Sequence, residues 1–227
     1  NRPVGVTGTR VLDCDVVEPG RRGDLRVRAA CQRPSPVHDH DAADRGNDRS
    51  ADIGAGREID CFLQAEAAAG HRLPLAALEH DGPTALILSR QNLPIVTDGT
   101  AVTRGAGVVL ASAKTPEVVV VATGSEVSIA VESARALVDA GIEVRVVSMP
   151  STERFLQQEL HFRDALLPPG VPVLSVEAGS TFGWQRIADH SLGIDEFGTS
   201  APGSAALAHF GISVDAISRR IRSILSK

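Results

Sequence analysis

From position 116 onward the apolar positions of the chain fall into clean periods. Val118-Val119-Val120-Val121 is a run of four β-branched residues, the habit of a strand buried on both faces in a parallel sheet covered by helices. The chain turns at Thr123-Gly124, and Thr123 with Glu126 three residues later fits a capping box. Val127, Ala130, Val131, Ala134, Leu137 and Val138 follow at helical spacing, with Glu132, Arg135 and Asp139 on the other side. Gly141 sits where a left-handed residue ends a helix, and Val144, Val146 and Val147 supply the next strand. Strand, helix and strand in about 30 residues predict a right-handed βαβ unit. Beyond it the pattern predicts a helix from about Ser151 through Phe155 and Leu156, and a buried strand over 171–176. A weaker strand is expected over 193–198 and a last helix from Val214, with Ile217, Ile221, Ile224 and Leu225 on one stripe. The fold class expected for 116–227 is α/β, a small, mainly parallel sheet of three to five strands flanked by helices.

The upstream pattern is different. Asp81-Gly82-Pro83 is turn chemistry, and residues 84–89 read as a short buried strand. It ends at Arg90-Gln91-Asn92-Leu93-Pro94, polar groups at the C-terminal end of a strand, where open α/β sheets place binding groups. Residues 76–100 therefore read as the remnant of a separate domain, and 101–115 as a linker carrying one strand at Gly107–Leu110. Residues 1–50 hold nine Arg, seven Asp and four Pro but no Ile, Phe, Lys or Met. Neither period persists there, so 1–75 is expected to be irregular or disordered. Reading a GC-rich gene out of frame gives the same composition, so a frame-shifted stretch and a natural extension account for it equally.

Charge and cysteine content narrow the class. A net charge of −5 over 227 residues offers no electrostatic case for nucleic acid, and no basic stripe with aromatics is present. No apolar run reaches bilayer length and no signal-type h-region opens the chain, so no membrane partner is expected and the setting is read as cytoplasmic. Cys14, Cys31 and Cys61 are odd in number and lack metal-ligand spacing.

Four features carry candidate chemistry. Thr123-Gly124-Ser125-Glu126 lies between strand and helix, where backbone N–H groups hold phosphates, yet Glu126 repels an anion and a structural cap is the better fit. Arg90 offers bidentate binding to a phosphate or carboxylate, against a surface ion pair that spacing alone favours. His38-Asp39-His40-Asp41 has the composition of a metal site but sits in the segment least able to hold ligands in geometry. His161, His190 and His209 stand apart from any nucleophile or carboxylate that would make them a base. Residue chemistry alone reaches no reaction.

Six segments in order resemble the transketolase family over its C-terminal third, residues 76–227. They are residues 81–94, 122–127, 141–151, Ser175-Val176-Glu177-Ala178-Gly179 ahead of Gly183-Trp184, residues 194–202, and Phe210-Gly211-Ile212. The resemblance implies a thiamine diphosphate-dependent transferase that moves a two-carbon ketol unit between sugar phosphates in the pentose phosphate pathway. It implies a three-domain homodimer in which the diphosphate is gripped through a divalent metal, Mg or Ca. Arg90 resembles the middle-domain arginine that binds the substrate's phosphate, which reverses the odds from spacing. The metal loop, the catalytic glutamate and the substrate histidines belong upstream of residue 76, and no motif for them is found in this chain. No catalytic, cofactor or metal residue is therefore assigned, and a fragment inactive by itself is expected. Residues 187–192 depart from the family and look shortened. Two alternatives stand beside this: a standalone phospho-ligand module at the Thr123–Glu126 turn, and the C-terminal domain of a deoxyxylulose phosphate synthase or oxo-acid dehydrogenase decarboxylating component. Residues 148–151 and 175–179 look more like transketolase.

Overall fold

A computed structural model describes residues 61–64, 72–89 and 91–226, all within the unit Arg57–Lys227. Two short strands, β1 (Cys61–Gln64) and, after helix α1 (Arg72–Glu79), β2 (Thr84–Ile87), pair in parallel. Pro74 is tolerated in α1 because it lies in the first turn, where N–H groups have no intrahelical acceptor. Cys61, Leu63, Leu73 and Ala76 close over Val102 of α2 (Ala101–Arg104) as a small core. Two pieces of the segment 1–75 expected to be irregular are thus regular, and the rest of it, 1–60 and 65–71, lies outside the described residues. The strand expected over 84–89 is also shorter and only half-buried, because β1 is its one partner among the described residues.

The larger sheet has the order β3-β5-β4-β6-β7. Its strands are β3 (Gly107–Leu110), β4 (Val118–Ala122), β5 (Val144–Ser148), β6 (Val173–Val176) and β7 (His190–Leu192). All neighbours are parallel except β3, which pairs antiparallel with β5 at one edge. The strand within the stretch read as a linker is therefore built into this sheet. Side chains alternate across a strand, which explains the valine run. Val118, Val120 and Ala122 pack with Val127 and Leu137 of α3 (Glu126–Asp139) and with Ile217 and Ile221 of the last helix. Val119 and Val121 face the other way, onto Phe155, Leu166 and Trp184. No residue of β4 is exposed, as a strand covered on both faces requires.

The helices follow the periods, with local corrections. The capping box at Thr123 does not form: Ser125 stays in helical conformation with no side-chain cap, whereas a box needs an extended N-cap residue. The Thr123 hydroxyl is buried without a partner, and its carbonyl accepts from Glu126 N at 3.1 Å instead. At the far end Gly141 adopts φ +84°. Its N–H donates to Val138 O at 2.9 Å and Ile142 N–H to Leu137 O at 3.0 Å, a complete Schellman motif. The single helix expected from Ser151 is two, α4 (Thr152–Leu156) and α5 (Leu160–Leu166), the first capped by the Ser151 side chain. The chain ends in α6 (Gly203–His209) and α7 (Val214–Leu225). No helix among the described residues is long and apolar enough to cross a membrane.

The weak strand expected over 193–198 falls instead at His190–Leu192. Residues 193–195 leave the ladder to tie a loop: Ile194 N donates to Gly179 O at 2.7 Å. Asp195 accepts from Ser180 Oγ at 2.9 Å, Thr181 N at 2.8 Å and Thr181 Oγ1 at 2.7 Å. Those donors hold the Asp195 carboxyl below its ordinary range, Thr181's side chain most of all.

Candidate functional site

The strand order places a crevice. From β4 the chain crosses to β5 on one side; from β6 it continues outward to β7 on the other. Loops leaving the C-terminal ends of β4 and β6 therefore diverge, and such a switch point opens a cleft. A cavity of about 270 Å³ lies there. Thr123 follows β4, residues 149–153 follow β5, and Glu177 follows β6; Gln64 and Ile87, closing β1 and β2, form the facing wall.

Glu177 is the best-held side chain of the cleft. Its Oε1 accepts from Gln64 Nε2 at 2.7 Å and its Oε2 from the Trp184 indole N–H at 2.7 Å. Gln64 is itself anchored, donating its backbone N–H to Pro150 O at 2.8 Å. Glu153 accepts from Ser151 Oγ at 3.2 Å and Thr152 Oγ1 at 3.0 Å, and Arg186 is exposed on the rim. Among the described residues none of these three charges has an ion-pair partner.

Behind the cleft Glu126 is only 4% exposed. Burial pushes its carboxyl above the ordinary glutamate value of 4.5, and the neighbouring Glu177 charge adds to the rise. Bonds from the Ser125 hydroxyl and the Ala178 backbone N–H only partly offset this. The adjacent turn is closed as a phosphate cradle. Leu93, Pro94, Val96 and Thr97 pack over Gly124 and Ser125, leaving about 10 Å³, room for a single water.

The cleft brings together an oriented carboxylate, hydroxyls, an indole and a guanidinium. Among the described residues no group of three His, Cys, Asp or Glu is placed to hold a metal. Arg90 and His38-Asp39-His40-Asp41 lie outside the described residues, as do Cys14 and Cys31. Cys61 is a buried free thiol. His161 is exposed and pairs with Glu159 at 3.0 Å, His190 sits half-buried in β7, and His209 closes α6 edge-on to Phe210. None of the three histidines lines the cleft. The Gln64–Glu177–Trp184 arrangement was not anticipated from sequence. Its visible signal is an acidic residue directly after a fully buried strand.

An open α/β sheet with one antiparallel edge and a cleft at its switch point defines the class, and residues 105–213 match the family model described as a transketolase-like TK C-terminal domain. A plasmid-borne transketolase of Cupriavidus necator is 47% identical over 159 residues, which cover 66% of this chain and 24% of that protein. The transketolase structure from Leishmania mexicana superposes with a TM-score of 0.69 at 38% identity, covering 73% of this chain and 25% of the other. A Pichia stipitis transketolase in complex with sedoheptulose-7-phosphate gives 0.68 at 29% identity, with the same coverage. Residues 105–213 thus carry a transketolase-like C-terminal domain, and the chain spans about a quarter of the length of the curated relatives it matches.

Proposed function

We propose that this chain forms the C-terminal part of a transferase that moves a two-carbon ketol unit between phosphorylated sugars in the pentose phosphate pathway. The observation that carries this is the 47% identity to a transketolase over 159 residues, beside a family-model match over 105–213 that spans the five-stranded sheet. That a Pichia stipitis relative is seen with sedoheptulose-7-phosphate supports sugar phosphates as the substrate class. A homodimeric, cytoplasmic enzyme follows from the same kinship. The same kinship implies thiamine diphosphate and a divalent metal for the full-length enzyme, and among the described residues no group of three His, Cys, Asp or Glu is placed to hold that metal. This chain alone is expected to be inactive, because ketol transfer needs cofactor and acid–base groups held in register.

Arg90 is the one residue assigned to substrate, binding the sugar phosphate through two parallel N–H···O bonds. The phospho-ligand module is not favoured, since the Thr123–Glu126 turn is covered. The other thiamine-dependent enzymes are not favoured either, since the relatives named above are transketolases.

The test is a chimera in which residues 76–227 replace the matching region of the Cupriavidus necator enzyme. Ketol transfer from xylulose 5-phosphate to ribose 5-phosphate is expected in the chimera and absent from the 227-residue chain. Arg90→Ala in the chimera is expected to raise KM for phosphorylated substrates about 10- to 100-fold, the loss of a charge-assisted pair. A folded, dead chimera, or turnover by the lone chain, defeats the proposal.

A further inference from the structure

The cleft at the switch point contains charges that the described part of the molecule leaves unneutralised. Glu177 is half-buried and fixed by two neutral donors, so its orientation is set before anything binds. Each of its oxygens keeps a lone pair, because a carboxylate offers about four acceptor sites and only two are used here. Arg186 faces the same space from the rim with all its donors free of an ion pair among the described residues. Thr123, whose hydroxyl is buried and unpartnered, lines the floor. Such an atom is unfavourable unless something arrives to bond it. Between these polar points the wall is apolar, from Met149, Leu156 and the Trp184 ring.

We propose that this cleft binds a small zwitterion of α-amino-acid type, its ammonium group on Glu177, its carboxylate on Arg186 and its apolar side chain against Met149, Leu156 and Trp184. A bare cation would meet Arg186 with like charge, and a bare anion would meet Glu177 and Glu153. The zwitterion satisfies both signs at once. At about 270 Å³ the cleft has room for a ligand of this size. The site lies apart from the sugar-phosphate role given to Arg90 and stands whether or not ketol transfer is found.

The experiment is calorimetric titration of the full chain with L-leucine, with 3-methylbutylamine, which lacks the carboxylate, and with 4-methylpentanoate, which lacks the ammonium. Saturable binding of L-leucine is expected, with each truncated analogue at least tenfold weaker. Glu177→Gln should erase the advantage of L-leucine over 4-methylpentanoate. Glutamine at 177 turns an N–H toward one of the two donors and strains the site, so Arg186→Ala, on the exposed rim, is the second arm. It should erase the advantage over 3-methylbutylamine while circular dichroism and the unfolding midpoint stay unchanged. No saturable heat with L-leucine, equal affinities for the three probes, or unaltered selectivity in folded Arg186→Ala overturns the proposal.

Discussion

Gly105 and Gly141 both hold left-handed backbone, at φ +85° and +84°, yet they are not equivalent. A Cβ at Gly141 would meet nothing within 4 Å, so only the backbone penalty applies. A Cβ at Gly105 would stand 2.4 Å from Phe155 N and 2.5 Å from Ser151 O, against the start of α4. Gly141→Ala is expected to cost about 1–2 kcal/mol, the price of a left-handed L-residue. Gly105→Ala is expected to cost more than twice that, since α4 must also move off its seat and loses the Ser151 N–Gly105 O bond of 3.1 Å. Urea unfolding of both variants checks this, and equal losses would show that the close approach is relaxed without cost. Glu126 supplies a second expectation at this scale. Its folded pKa lies above the unfolded value near 4.5, so its contribution to stability is complete below pH 4.5 and is lost as pH rises through the raised folded value. The difference in unfolding free energy between wild type and Glu126→Gln should therefore shift in the variant's favour from pH 4 upward and level off once Glu126 is ionised. A difference that stays flat from pH 4 to 8 would mean the carboxyl is not strained by burial.

At the scale of elements, legibility tracked how much of each signal was local. The β4–α3–β5 unit could be read because three independent patterns agree: a valine run, a helical stripe and a glycine at the C′ position. Helix α7 could be read for the same reason, with Ile217, Ile221 and Ile224 all buried. Val138 is the exception on the α3 stripe, 40% exposed at the edge of the buried arc. The capping box misled because sequence spacing records which side chains are near, while the cap depends on backbone torsion at Ser125. The edge strand β7 misled because its pairing is decided by distant partners. Ser175 Oγ bonds Ser191 Oγ at 2.8 Å, and Val173 N donates to Asp189 Oδ2 at 2.9 Å. Neither contact leaves a period. The same holds for the cleft, whose central bond joins residues 113 positions apart. Arg90 is different again: it entered through kinship, and no local pattern selects it over a surface ion pair.

For the molecule as a whole, the question is what couples the small β1–β2 layer to the larger sheet. One tie passes through Arg154 on α4. Its Nη2 donates to Ala76 O at 2.8 Å, among the last four carbonyls of α1, and its Nη1 reaches Val102 O at 3.4 Å and Thr103 O at 3.5 Å on α2. One guanidinium thus serves the C-terminal carbonyls of two helices, which have no intrahelical donors and carry the negative end of the helix dipole. Gln64, reaching Pro150 and Glu177, is the second tie, and Arg104 stacked 3.4 Å over the Phe162 ring is a third. Arg154→Met keeps the packed stem and removes the donors. Only the bond to Ala76 O is short, so the expected loss is that of one charge-assisted bond, about 1.5–3 kcal/mol. Because β4 and α3 have their own core, the loss should be local. Amide exchange of β1 and α1 is expected to speed up at least tenfold in the variant while exchange in β4 stays at its wild-type rate. Uniform acceleration across both layers would instead mean that the chain from β1 to α7 unfolds as one cooperative block, with the cleft between the layers opening only when the whole unit does.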